Sequence, residues 1–530
     1  MRRTATVALR KCSTCNSNRL ACGSAESPRP GPIAGSDLRW RWPAQLVTTA
    51  GENGLSISAR RLKLLCALHE SGSDPFRKSR SLDRKAALMH PLCSINTRMA
   101  AMNSGVVRLS MIAAMVMLAT FGTTKAEEAA KPSVTVPVLS NTGPDAAAYG
   151  ADEGFPLGTL ASGSQMRHLV ATYSHFDELT PARIVRRATS SWSFQRAAEP
   201  EISYTFDGER RKIMDYLNRQ PTTGLLIAKD DTILYEHYQY ARSEHDRFLS
   251  QSMAKTITAM LIGIAAADGA IKSIDDEVAT YVTGLAGTEY GKTPIRALLH
   301  MSSGVEFKET YDGQDDVARL GRDLFGQPGK DPVVSVAQFN TRVAPPDTQW
   351  HYASSETEIL GLILRRVTGK PVADYLSEKI WQPIGAEADA SWATDGTGQE
   401  VTFCCFNAVL RDYARFGRLL AHDGAWNGRE VIPRQWLMDA TTVRSSDAYL
   451  APGVATKYYG YGYQVWLLPG ADRRFVLLGI RGQMIFVDPA TKLVMVHTAV
   501  RAKPVDRAAS AETVALWIAV VDQLGRPHAQ

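Results

Sequence analysis

Two stretches that read as β-hairpins stand near opposite ends of the orderly part of this chain, and they constrain its fold more than anything else. The first is TGLLIAKDDTILYEHYQY, two β-rich runs around Lys229-Asp230-Asp231. The second is QMIFVDPATKLVMVHTAV, two apolar runs around Asp488-Pro489-Ala490, preceded by YGYGYQVWLL and RFVLLGI. Between about 300 and 450 the pattern is mainly helical. SETEILGLILRRVTG is an amphipathic helix ending on Gly369, and NAVLRDYARFGRLLAHDG is another ending on Gly424. SAETVALWIAVVDQLG closes the chain as a helix. The simplest assembly is an α/β fold: one antiparallel sheet built from both ends of the body, flanked by helices, with an all-helical lobe inserted between the strands.

Charge separates the body from what precedes it. Residues 1–101 hold 17 Lys/Arg and 6 Asp/Glu, whereas 127–530 hold 41 and 48. The formal charge of +6 therefore belongs to the leader, and the body gives no argument for a nucleic-acid partner. Residues 102–126, MNSGVVRLSMIAAMVMLATFGTTKA, carry Arg108, an apolar run from Leu109 to Gly122, and small residues at Thr124 and Ala126. This is the layout of a secretory signal peptide, too short for a stable membrane span, and it predicts a periplasmic or secreted protein. Its position predicts that translation starts at Met102 or Met99 and that 1–98 is an over-long reading of the gene or a disordered basic extension. Residues 127–165 read as an Ala-, Gly- and Pro-rich linker, and 166–525 as the functional domain.

Five of seven cysteines lie in the first hundred residues. Cys12-Ser-Thr-Cys15 lacks a second pair at zinc-finger spacing. In the body, Cys404 and Cys405 are expected as small apolar core residues near the start of a helix, because adjacent cysteines rarely bond to each other. His-x-His-x-Asp, His-Glu-x-x-His, Gly-x-Ser-x-Gly and phosphate-binding glycine loops are absent from the sequence, so neither a metal nor a cofactor is expected.

Chemistry concentrates in SMAKTITAMLIGIAAADGAI, a helix with a stop at Gly269. Ser252-Met-Ala-Lys255 is the chain's one Ser-x-x-Lys. Positions i and i+3 share a helix face, so the amine can reach the hydroxyl. A serine in the first turn also stands among unsatisfied N–H groups at the positive end of the helix dipole, which can stabilise an oxyanion. Lys255 serves as a base only when neutral, which demands burial or neighbouring positive charge. A capping serine beside a surface lysine explains the pair equally well in isolation. Further along, Tyr352 precedes a helix in Tyr-x-Ser form, and Gly479 and Gly482 interrupt a β-run, where a strand glycine marks a bulge or a close approach.

Together these pieces resemble the penicillin-recognising serine hydrolases: class C β-lactamases, DD-peptidases, family VIII esterases and 6-aminohexanoate-dimer (nylon oligomer) hydrolases. The last branch fits best, through GLLIAKDDTILYEHY, RFLSQSMAKTITAMLIGIA, TPIRALLHMSSGVEFKETY, YASSETEILGLILRRVTGKP, RDYARFGRLLAHDGAWNGREVIP, YGYGYQVW and GIRGQMIFVDP, in that order over roughly 170–525. The resemblance implies a β-lactamase/transpeptidase-like fold with the site between sheet and helical lobe. It implies Ser252 as nucleophile, Lys255 as base and Tyr352 as second acid/base group. It places the oxyanion between the backbone N–H of Ser252 and one near Gln483, and Tyr311 over the substrate. Ser354 stands where many relatives have Asn. Ile480-Arg481-Gly482 stands where a β-lactamase or DD-peptidase has Lys-Thr-Gly, so Arg481 either replaces the missing lysine or points into solvent. The implied activity is hydrolysis of a small amide or ester. A β-lactamase-like or DD-peptidase-like activity, or a catalytically silent binding protein on the same fold, are the alternatives, and the oligomeric state has no signature in the sequence.

Overall fold

The computed structural model describes residues 136–525. The basic leader 1–101, with Cys12 and Cys15, the signal-peptide reading over 102–126 and the start of the linker lie outside the described residues.

Both hairpins form, and they pair with each other. Strands β1 (Thr222–Lys229) and β2 (Thr232–Tyr238) make the first. Strands β3 (Phe475–Gly479), β4 (Gln483–Asp488) and β5 (Leu493–Ala499) follow at the far end. Their order across the sheet is β2-β1-β5-β4-β3, antiparallel at every step. The seam between the two ends of the body is β5 on β1, with Val494 opposite Ala228 and Val496 opposite Leu226. The sheet is mixed rather than wholly antiparallel, because Val138–Leu139 and Gln195–Arg196 both pair parallel with β2.

The apolar runs of these strands are nearly continuous because both faces are covered. Leu225, Ile227, Met484, Phe486 and Met495 point one way, into a core closed by the C-terminal helix. Leu226, Ala228, Ile485, Val487, Val494 and Val496 point the other way, into the main core with the lobe. Each such side chain removed from water contributes about 1.5–3 kcal/mol.

Among the described residues the longest helices are α1 (Met253–Ala267), α2 (Ser354–Thr368), α3 (Leu410–Ala421) and α4 (Arg507–Leu524). Helix α3 lies directly on the sheet at Gly417, where an added Cβ would come 2.5 Å from Val494 Cγ1. Helix α4 covers the other face, with Trp517 stacked on Phe486 at 5.4 Å. Helices α1 and α2 pack together in the lobe and are tied to the sheet-edge loop by buried Gln464. The Gln464 carbonyl accepts from Thr256 on α1 at 2.6 Å, and its side chain accepts from Thr357 on α2 at 2.8 Å and donates to the Leu298 carbonyl at 2.7 Å. Among the described residues no helix is long and apolar enough to cross a membrane.

Three expectations need correction. The helical middle contributes to a second, four-stranded antiparallel sheet, ordered Ala182–Val185, Ala390–Ala393, Phe406–Val409, Arg247–Leu249. Its strands are three or four residues long, too short to show a periodicity. The predicted helix from Asn407 therefore starts only at Leu410. Residues 136–165 are no free linker: Tyr149 and Phe155 are buried, and the Tyr149 hydroxyl donates to the Val500 carbonyl at 2.7 Å. Finally, Cys404 and Cys405 are joined to each other by a disulfide. Cys405 takes a left-handed φ of 67°, a turn that no side-chain pattern announces.

Candidate active site

Ser252 caps the N-terminus of α1, and Lys255 occupies the first turn on the same side. The Lys255 Nζ donates to Ser252 Oγ and to the Phe403 carbonyl, both at 2.9 Å. Both acceptors are neutral, and Lys255 is 1% exposed. Burial therefore lowers its pKa from 10.5 to about 8, against the opposing pull of the Glu309 and Glu358 carboxylates. The amine sits 5.0 Å from the ring centre of Tyr352. Burial, and then the charge of Glu309, push the Tyr352 phenol well above its ordinary range, while its hydrogen bond with Ser252 works in the other direction. A protonated phenol and a readily deprotonated amine thus flank one hydroxyl.

The chain presents this hydroxyl by a turn. Gln251 has a φ of 46° and donates through its side chain to the Tyr173 hydroxyl at 3.0 Å. The end of β3 presses on that turn, since a Cβ on Gly479 would lie 2.5 Å from the Ser250 carbonyl oxygen. Gly482 has a φ of 97°, and an added Cβ would lie 2.9 Å from Arg501 Nε. Both glycines thus mark close approaches.

Ser252 and Tyr352 line one cleft of about 890 Å³, together with Tyr311, Gly479, Ile480 and Gly482. Tyr311 is held at a φ of 59° by Asp315, whose carboxylate accepts from the Tyr311 and Thr310 N–H groups at 2.6 and 2.7 Å. Its hydroxyl donates to Glu309 at 2.7 Å. Ser354, at the start of α2, does not line the cleft itself. Its N–H and hydroxyl donate to Glu309 at 2.8 and 2.9 Å, and Glu309 does line it.

Neither Arg481 nor Gln483 lines the cleft. Arg481 neither replaces the missing lysine nor faces solvent. It is buried, and its guanidinium donates to the Arg501 and Ala502 carbonyls at 2.7 and 2.5 Å. The Gln483 side chain donates to the Ala499 carbonyl at 2.6 Å, beside a register shift in β5, and its backbone pairs with Gly479. Sequence reasoning missed Glu309 and Arg501, both of which line the cleft. Glu309 could have been suspected from its place two residues before Tyr311. Nothing local marks Arg501.

The arrangement sets one hydroxyl between a buried amine of lowered pKa and a buried phenol of raised pKa, groups of the kind that acyl transfer can use. Comparison with known proteins agrees in fold and in kind. A 6-aminohexanoate-dimer hydrolase of Paenarthrobacter ureafaciens is 27% identical over 364 residues, spanning 67% of this chain and 91% of that protein. A solved structure from Bacillus anthracis, provisionally named a 6-aminohexanoate-dimer hydrolase, superposes with a TM-score of 0.62 at 26% identity, covering 69% of this chain and 97% of that one. A provisionally named D-alanyl-D-alanine carboxypeptidase of Escherichia coli K12 is 27% identical over 207 residues, 34% of this chain and 46% of its own length. The profile of the family described as Beta-lactamase matches residues 210–517, a span that takes in the whole Ser252 site, and the chain belongs to that family.

Proposed function

We propose that this protein is an exported serine hydrolase that cleaves amide or ester bonds of small molecules through an acyl-enzyme on Ser252. The observation that carries the reading is the buried Lys255 amine, 2.9 Å from the Ser252 hydroxyl. Neutral Lys255 takes the hydroxyl proton as Ser252 Oγ bonds to the carbonyl carbon. The Ser252 N–H, at the helix cap, and one from the Ile480–Gln483 turn receive the oxyanion. Tyr352 donates its proton to the departing nitrogen or oxygen as that bond breaks. Water then attacks the acyl-enzyme by the same route in reverse and releases Ser252.

An amide or ester substrate is favoured over a β-lactam or a D-alanyl peptide. The Lys-Thr-Gly of β-lactamases and DD-peptidases is missing, and Arg481, which stands in that stretch, is buried and bonded to the Arg501 and Ala502 carbonyls instead of lining the cleft. The Paenarthrobacter relative, whose name gives an amino-acid dimer as its substrate, points the same way. Export rests on the leader alone. Fractionation of cells expressing the full chain tests it, and protein confined to the cytoplasm would refute it; the N-terminal peptide mass of the exported protein tests the start at Met102 or Met99, which a mature start within 1–98 would refute.

A fluorophosphonate probe tests the nucleophile. The added mass is expected on the Ser252 peptide and absent from folded Ser252→Ala. Hydrolysis by that variant is expected to fall at least about a thousandfold. An unlabelled, folded wild-type protein would leave a silent binding protein as the better reading.

A further inference from the structure

We infer that the cleft takes substrates with an extended apolar chain, laid along one face of α4; this rests on the reading of Ser252 as the nucleophile. The cleft does not end at the reacting groups. Besides Gly479 it is lined by Leu478, Met484 and Tyr459 and, on α4, by Ser510, Val514, Ala515 and Ile518. The α4 positions recur at helical spacing, so they form a single stripe. Leu516, Trp517, Val520 and Val521 of the same helix are in the core, and Val514 of the stripe is buried at its border. From Ser510 to Ile518 the helix rises about 12 Å. Three extended backbone bonds span roughly 3.3–3.6 Å, so the stripe matches an alkyl chain of about ten bonds.

Most polar groups along this arm are engaged with the protein or exposed to water, although the buried Arg501 Nε has no partner among the described residues. The Arg501 guanidinium donates to Thr513, Ser510 and the Ala509 carbonyl at 2.7, 3.0 and 3.3 Å. Asp506 caps α4, and Lys457 and Arg507 are exposed. Apolar side chains, in contrast, stay open to water there: Val505 is 55%, Ile518 44% and Tyr458 41% exposed. Continuity with Ser252 makes this wall a place for part of the substrate, and its chemistry selects an alkyl chain. The chain belongs either to the acyl group or to the leaving alcohol or amine.

Two ester series separate these sources. One extends the acyl group of nitrophenyl esters from two to twelve carbons, and the other extends the alcohol of acetate esters. In one series kcat/KM is expected to rise about two- to fourfold per methylene until the arm is full. Ala511→Trp, which narrows the arm from the exposed side of the stripe, is expected to cut the ten-carbon to four-carbon ratio at least tenfold. Val334→Glu, on a remote exposed surface, leaves that ratio as in the wild type. Binding to Ser252→Ala tests the arm without catalysis: N-hydroxyethyl decanamide is expected to bind at least tenfold tighter than the butanamide. Cleavage of short esters with both series flat overturns the inference and spares the hydrolase reading. Tighter decanamide binding with no ester cleaved does the reverse, and equal binding of the two amides with no cleavage overturns both.

Discussion

At the scale of single residues, the chemistry turns on what surrounds Lys255. Its two acceptors are neutral oxygens and its amine is sealed from water, so the ammonium is destabilised until its pKa reaches about 8. In the proposed mechanism the neutral amine is the working form, and its fraction grows as pH rises to that value. Below about pH 8, kcat/KM is therefore expected to climb tenfold per pH unit, then level off. Glu309 raises the Lys255 pKa. Glu309→Gln removes that charge, so the acid limb is expected to move to lower pH by up to about one unit. A limb that stays in place in a pH–rate series would argue against Lys255 as the base. For stability the sign is the same. Lys255 is protonated in the unfolded chain and neutral in the folded one between about 8 and 10.5, so its contribution becomes more favourable as pH rises through that window.

At the scale of elements, Lys255 stands on α1 and Tyr352 in the loop that leads into α2, and Gln464 fixes their spacing. Thr256, bonded to Gln464, adjoins Lys255 on α1; Thr357, bonded to its amide, lies on the helix that Tyr352 precedes. Gln464→Leu removes the amide and leaves the Thr357 hydroxyl and the Leu298 carbonyl buried without it. The expected cost is about 2–4 kcal/mol, seen as a lower denaturant midpoint. Activity of the still-folded variant is expected to fall through kcat more than KM, since the reacting groups shift while the cleft walls remain. A variant as stable as wild type would show that the bridge is dispensable. The Ser-x-x-Lys pair was legible because both residues lie within one helical turn, where spacing dictates contact. Glu309 reaches Ser354 across a loop, and that contact depends on how the loop folds back.

At the scale of the molecule, the sheet joins chain segments that lie far apart in sequence, and α4 seals its second face. Trp517→Ala removes the ring stacked on Phe486 and is expected to cost about 3–5 kcal/mol, with the midpoint lowered and the denaturant slope unchanged. A changed slope instead would mean that the C-terminal helix unfolds apart from the sheet. The long strands were legible because two-sided burial demands unbroken apolar runs, and the long helices because one-sided burial demands an apolar stripe. The second sheet was not, because strands of three or four residues carry no period, and the Cys404–Cys405 bond follows from a left-handed residue that composition cannot signal.

By itself, the sequence determined the long strands, the long helices and the Ser252–Lys255 pairing, because hydrophobic period and helical spacing are local rules, while Tyr352 entered through the resemblance. Only the tertiary structure decided that Arg481 turns to backbone carbonyls, that Glu309 and Arg501 enter the cleft, and that an apolar arm runs on along α4. Those outcomes depend on which way side chains point once distant segments pack, and no local pattern encodes that.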